Sequence, residues 1–131
     1  NTMIEFINSK AKAKKIIAVG NPPYQEADGG GQAAASPVYN IFVEKLMACG
    51  KINDFSLVIP ARWFAGGRNL DEFRSLLVES RQVKSIRYFE RAEDVFPTVH
   101  VQGGVCFLNW SVTHNGNTNF ITKNGEFNLN L

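Results

Sequence analysis

Ile16-Ile17-Ala18-Val19-Gly20-Asn21-Pro22-Pro23-Tyr24 decides how the rest of the chain is read. Four apolar residues, three of them β-branched, are stopped by a glycine and two prolines. Such a run reads as a short buried strand with its carboxyl end at Gly20. Proline cannot donate to a sheet ladder, so the strand must end where Asn21 begins. Working outward, Gln25 to Pro37 holds Gly29, Gly30, Gly31 and Ala33 to Ala35 with no core-forming residue, and reads as a loop. Val38 to Cys49 then sets Tyr39, Phe42, Leu46 and Cys49 at helical spacing, with Gly50 as its stop.

The same alternation continues. Phe55 to Ile59 reads as a second strand halted by Pro60. A second helix starts at Asn69 or Leu70, with Asp71 and Glu72 at its positive end and Phe73, Leu76 and Leu77 as its buried stripe. Val83 to Phe89 reads as a third strand, placed near a sheet edge by Lys84 and Arg87. Gly104 to Val112 reads as a fourth strand. Asn115-Gly116 and Asn124-Gly125 are two-residue hairpin signals, so the chain is expected to end in an antiparallel meander, with strands near 119–122 and 126–129. Strands alternating with helices imply an α/β fold with a mixed, mostly parallel sheet. A single domain spans 1–131, with 14–113 as its main body and 114–131 as an antiparallel extension. A sheet that starts at Ile16 leaves a long apolar edge open.

Composition narrows the classes. The 131 residues suffice for one core, with 44% hydrophobic and 20% charged residues. No apolar run approaches the ~20 residues of a membrane span, and the first residues lack the order of a signal peptide, so a cytoplasmic location is expected. Cys49 and Cys106 lack metal-ligand spacing and read as two buried thiols; no metal is expected. The net charge of +2 does not mark a nucleic-acid binder by itself. Its clusters are Lys10, Lys12, Lys14 and Lys15, and then Arg62, Arg68 and Arg74. Each reads as solvated surface or as phosphate contact. His100 and His114 have no ligand partners in sequence and receive no role, and Glu90, Glu93 and Asp94 read as a solvated loop.

The chemistry lies in Asn21-Pro22-Pro23-Tyr24. In an open α/β sheet, ligands bind beyond the carboxyl ends of strands, where this tetrapeptide stands. The prolines fix the backbone and hold the Asn21 side chain and the Pro22 carbonyl as two rigid acceptors. A primary amino group on an aromatic ring has two hydrogens to donate to them. Both bonds would draw its lone pair out of conjugation and make the nitrogen more nucleophilic, while Tyr24 offers a face for stacking. Asn-Pro-Pro alone would also suit a proline-rich turn beside a buried aromatic. The full tetrapeptide after Ile16–Gly20 favours a site.

Ile16 to Tyr24 resembles the catalytic motif of amino-methyltransferases, in particular the adenine-specific (N6) DNA methyltransferases of restriction–modification systems. Val38 to Glu44 is similar to the family's helix after the catalytic loop, and Leu57 to Phe64 to its next strand. Glu93 to Val99 resembles the loop whose phenylalanine packs on the extruded adenine, and Val101 to Trp110 the strand after it. The resemblance runs from Lys15 to Trp110 and implies the C-terminal half of a Rossmann-like catalytic domain. It implies that Asn21 and Pro22 bind the adenine amino group, with Pro23 fixing the turn, and that Tyr24 and Phe96 stack on the flipped base. Arg62, Trp63 and Arg68 become candidate DNA contacts.

The family's cofactor, S-adenosylmethionine, is held by an earlier strand, Gly-rich turn and helix, none of which Gly29–Gly31, Gly66-Gly67 or Gly103-Gly104 reproduces. The cofactor pocket is therefore expected to be incomplete in this chain and the chain alone inactive. Implied partners are double-stranded DNA, the remaining N-terminal half and recognition domain of a parent protein, and a second copy through the open edge. Protein-glutamine or RNA-guanine methylation, or a non-catalytic DNA- or subunit-binding module, are the alternatives.

Overall fold

A computed structural model describes residues 2–9, 15–25, 36–67 and 69–131. Helix α1 is Thr2–Ser9, α2 Tyr39–Ala48 and α3 Asp71–Ser80. The strands are β1 Ile17–Gly20, β2 Asp54–Pro60, β3 Val83–Phe89, β4 Val105–Ser111, β5 Thr118–Thr122 and β6 Gly125–Leu129. Short 3-10 turns occupy Ala61–Ala65 and Ala92–Asp94. All six strands form one sheet in the order β1-β2-β4-β3-β5-β6.

The sheet is mixed, but its balance differs from the expectation of mostly parallel pairing. β1 with β2 and β3 with β5 are parallel, whereas β2 with β4, β3 with β4 and β5 with β6 are antiparallel. The cause is β4, which inserts between β2 and β3 and runs against both. Its register with β2 is unbroken from Asp54↔Ser111 to Pro60↔Val105. Consequently β3 is an interior strand and not the edge that Lys84 and Arg87 suggested. These cations stand on its exposed positions, and a register shift between Val83 and Ser85 breaks the strand's alternation there.

The expected meander is also revised. Asn115-Gly116 does not close a hairpin between β4 and β5, because β3 already occupies that side of β4. The chain instead crosses the end of β3. Gly116 N–H donates to the Arg81 carbonyl at 3.0 Å, and the buried Thr118 hydroxyl donates to the Val83 carbonyl at 2.9 Å. Strand β5 then pairs parallel to β3, so residues 118–129 continue the main sheet. The last hairpin does form, one residue earlier than expected: Thr122 pairs with Gly125 across Lys123-Asn124, and Gly125 takes φ +135°. Arg81, itself at φ +56°, ends α3 and reaches Asn130 at 3.1 Å and Asn117 at 3.4 Å.

One sheet face carries the core. Phe55, Leu57 and Ile59 of β2 alternate with Cys106, Leu108 and Trp110 of β4 and with Ile86 of β3, all buried. Phe55 stacks on Trp110 with ring centroids 5.0 Å apart. Over this face lie Tyr39, Val43 and Leu46 of α2 and Phe73 and Leu77 of α3. Phe73 meets Tyr39 edge-on at 6.0 Å and Trp63 at 5.7 Å, so one ring ties α3, α2 and the turn after β2 together. Leu76 leaves the expected stripe and is 40% exposed, because Phe73 and Leu77 alone are aligned with the sheet. On α2 the buried residues are Tyr39, Asn40, Val43 and Leu46, with Phe42 and Cys49 only partly covered. Cys106 is fully buried and unpaired, and burial pushes its thiol up to about 12.

Strand β1 differs from the buried strand that its residues suggest. It is the sheet's outer strand, paired only with β2 among the described residues, and Ile17 and Val19 are 57% and 75% exposed. Its start is pinned by Asn53, whose Oδ1 accepts from Ile16 N–H at 2.8 Å, and by the Lys15–Asp54 ion pair at 3.1 Å. Ser111 first, and then Lys15, hold the Asp54 carboxyl below its usual value.

Phe73→Ala is expected to cost roughly 3–5 kcal/mol of unfolding free energy and Leu76→Ala less than about 1 kcal/mol, read from denaturant titrations. Equal losses would contradict the packing described. Asp54 titrates below its unfolded value, so the folded chain binds this proton less tightly than the unfolded chain. Its stabilising share is complete above the ordinary carboxylate range and is lost as pH falls through the depressed folded value. Asp54→Asn is therefore expected to flatten the acid side of the stability–pH curve and leave its neutral slope unchanged.

Candidate active site

Strands β1, β2 and β3 point their carboxyl ends to one edge of the sheet, and antiparallel β4 brings its amino end to that same edge. The segments leaving and entering there, 21–25, 60–62 and 99–102, enclose a cleft of ≈ 810 Å³. Its lining includes Asn21, Pro22, Pro23, Tyr24 and Gln25 after β1, Pro60 at the end of β2 and Arg62 after it, and Val99 to Gln102 before β4. Pro37 and Tyr39 at the start of α2 and Leu70 before α3 complete it. That volume falls within the range of small-molecule and cofactor sites.

The four residues of the tetrapeptide divide the work of the wall. Pro22 is buried and anchors the segment, while Asn21 and Pro23 are exposed to the cleft. The Tyr24 ring packs against the core cluster and also lines the cleft. Its phenol lies beside Asn21, yet Oη is buried without a hydrogen-bond partner. Burial and then Cys106 raise its pKa, and Asn21 draws it partly back. Beyond Tyr24 the chain is clasped: Val38 N–H donates to the Tyr24 carbonyl at 3.2 Å, and Gln25 and Pro37 form an antiparallel bridge.

Tyr39, whose helical spacing marks a core position, also lines the cleft. Burial first and then Cys106 hold its phenol far above its usual value, against the pull of Arg62. At the working range of pH both tyrosines are therefore neutral phenols. On the opposite wall, Glu93 Oε1 lies 2.8 Å from His100 Nδ1 and its other oxygen 3.7 Å from Arg91 Nε. His100 first, then a backbone bond, holds the Glu93 carboxyl below its usual value. The wall depends on Gly104, at φ +81°, whose carbonyl accepts from Ala61 N–H at 3.0 Å. A Cβ there would collide with the backbone carbonyls of Phe89 and Glu90, so only glycine lets the 90–104 loop turn back onto β2.

Two expected site residues are placed elsewhere. Phe96 is half-buried and does not line the cleft. Hydrogen bonds from Val95 and Phe96 N–H to the Ala92 carbonyl wind this segment into a tight turn, and the chain reaches the cleft only at Val99. Trp63 is 4% exposed and edge-on to Phe64 and Phe73, so the fold places it in the core, away from the surface a DNA contact needs. Arg62 is exposed and lines the cleft. Arg68, Lys10, Lys12, Lys14 and the Gly29–Gly31 and Ala33–Ala35 stretches lie outside the described residues. Lys15 pairs with Asp54, and exposed Arg74 stands on α3 away from the lining. His114 bonds the Asn117 carbonyl at 2.8 Å. Among the described residues no cluster could hold a metal, and no helix is long and apolar enough to cross a membrane.

The lining supplies fixed acceptors and aromatic surface, which suit a planar amine. It carries no carboxylate among the described residues to hold the ammonium and ribose hydroxyls of S-adenosylmethionine. These residues therefore do not fit that cofactor by themselves.

The fold is similar to that of known proteins. The chain is 30% identical over 110 residues to an uncharacterized adenine-specific methylase of Mycoplasma pneumoniae, spanning 82% of this chain and 26% of that protein. Among solved structures, the type I restriction–modification methyltransferase subunit from Streptococcus thermophilus aligns with a TM-score of 0.53 at 13% identity, over 90% of this chain and 31% of that one. A chain from a type I restriction–modification system aligns with a TM-score of 0.55 at 12% identity, over 88% and 25%. These likenesses are in the fold. The chain spans about a quarter of the length of the curated relative. The family model of the Eco57I restriction-modification methylase matches residues 1–96, and the chain belongs to that family.

Proposed function

We propose that this chain is the base-accepting half of a DNA methyltransferase that places a methyl group from S-adenosylmethionine on N6 of an adenine turned out of the duplex. The observation that carries the reading is Asn21-Pro22-Pro23-Tyr24 at the carboxyl end of β1, opening a cleft large enough for a base. Family membership supports methyl transfer, and the adenine-specific name of the Mycoplasma relative supports adenine over glutamine or guanine. The S-adenosylmethionine grip and a target-recognition domain belong to other parts of the enzyme, in keeping with the share of the relatives that this chain spans.

The roles of the residues follow from their chemistry. Adenine N6 donates one hydrogen to the Asn21 side chain and one to the Pro22 carbonyl. Both acceptors are held by proline-fixed backbone, so little reorganisation accompanies the reaction. Turning the base out costs a few kcal/mol, and stacking on Tyr24 offsets roughly 1–3 kcal/mol of it. Exposed Arg62 at the cleft wall is placed to meet a backbone phosphate. The open edge of β1, with Val19 75% exposed, gives the isolated chain a surface for pairing with a second copy.

Asn21→Ala in the intact enzyme is expected to lower methyl transfer by roughly a hundredfold or more. DNA affinity, measured by fluorescence anisotropy, should change by no more than about twofold, since phosphate contacts carry most of it. Full methylation by this variant would overturn the reading. For the isolated chain, light scattering at high concentration should give a dimer mass that Val19→Lys shifts to a monomer. A monomer without the substitution would remove the edge pairing.

A further inference from the structure

Strand β3 carries an arginine that neither the core nor the cleft uses. Arg87 stands at an interior position of the sheet, with Phe107 of β4 and Ile121 of β5 as its register neighbours. Ile86 beside it is buried in the core, so alternation along the strand turns Arg87 to the opposite face, where it is exposed. Among the described residues it has no ion pair and no hydrogen bond. A β-branched or aromatic residue would pack better between these two neighbours.

Arg87 lines a separate cavity of ≈ 270 Å³, beyond the carboxyl ends of the parallel strands β3 and β5 and so at the same sheet edge as the cleft. Arg91 lines it from the loop after β3 and Lys123 from the β5–β6 turn, so three cations converge from three segments. Glu90 and Asp94 also line it, which leaves one positive charge uncompensated. The Lys123–Glu90 contact is long, 3.5 Å, between side chains 77% and 70% exposed, and Arg91 meets Glu93 at 3.7 Å. Exposed pairs of this kind are worth no more than about 1 kcal/mol, so both cations can exchange partners. Glu93 also joins this cavity to the cleft, because its other oxygen lies 2.8 Å from His100 in the cleft wall. Only β4 stands between β2 and β3, which sets the ends of those two strands roughly 10 Å apart.

We propose that this cavity is a phosphodiester site, taking one backbone phosphate of a duplex whose base occupies the cleft. This rests on the nucleic-acid reading above. The Arg87 guanidinium presents a fork that matches two phosphate oxygens, while Lys123 contributes a point charge from the turn. A single phosphodiester carries one negative charge and balances the cavity. Such a contact positions the duplex without reading its sequence. Arg62 in the cleft and Arg87 here then hold the nucleic acid at two points along one edge.

The test titrates the intact enzyme with a fluorescein-labelled duplex, by anisotropy, over a series of salt concentrations. Arg87→Gln keeps most of the stem; it should weaken binding roughly fivefold and make the slope of log affinity against log salt shallower by about one. Lys123→Gln lies in an exposed turn remote from the core, and should change the slope in the same direction with a smaller loss. Glu90→Gln removes a carboxylate from the wall and should tighten binding, a gain that a purely structural role would not give. Arg74→Gln, at an exposed cation on α3 outside both linings, should alter neither quantity. Unchanged affinity and slope in both Arg87→Gln and Lys123→Gln overturns the proposal, as does an equal change in Arg74→Gln. The methyl-transfer reading survives either result if Asn21→Ala still abolishes methylation. An enzyme that binds no duplex removes both. Inorganic phosphate gives the remaining arm: saturable NMR shifts at submillimolar phosphate that Arg87→Gln removes, with duplex binding unchanged, would make this a site for free phosphate and overturn the assignment to the backbone.

Discussion

The antiparallel insertion of β4 between β2 and β3 is the constraint on which the rest of the structure depends. It fills the sheet's centre with fully paired backbone, so Leu108 and Cys106 lie over the core with no exposed surface. It also reverses one strand among parallel neighbours. The chain therefore arrives at the edge that carries the cleft through 99–104, where a parallel strand would have departed from it. Without that reversal, His100 and Gln102 would emerge at the opposite end of the sheet from Asn21.

Core and cleft are joined by the same few side chains. Phe73 holds Tyr39 and Trp63 edge-on, and Tyr39 is at once a wall of the core and the floor of the cleft. Cys106 lies close enough to raise the pKa of both Tyr24 and Tyr39, so the apolar interior sets the protonation of the cleft's phenols.

The local features of the fold were legible in the sequence, and its strand neighbours were not. Ile16 to Tyr24, the helix ended by Gly50, and the helix opened by Asp71 and Glu72 announce themselves through residues a few positions apart. Strand order is decided between residues fifty apart, and neither Lys84 nor Asn115-Gly116 carries that information. A hairpin signal can form a hairpin only where the neighbouring edge is open, and β3 had closed it. The site was half legible for the same reason. Asn21 to Tyr24 are contiguous, whereas Phe96 was displaced by a turn that its sequence did not reveal. His100 looked like a lone histidine until the fold of its loop set Glu93 against it.

The bridge between Gln25 and Pro37, with Val38 bonded to the Tyr24 carbonyl, separates the tetrapeptide mechanically from whatever lies between. The two ends of that intervening segment are fastened to each other and to the start of α2 before they reach the site. The ends of this segment are held together independently of its length, and the entropic cost of closing a longer segment grows slowly. The alignment of Asn21 is thus set by the clasp and by the start of α2, and does not hinge on how many residues lie between Gln25 and Pro37.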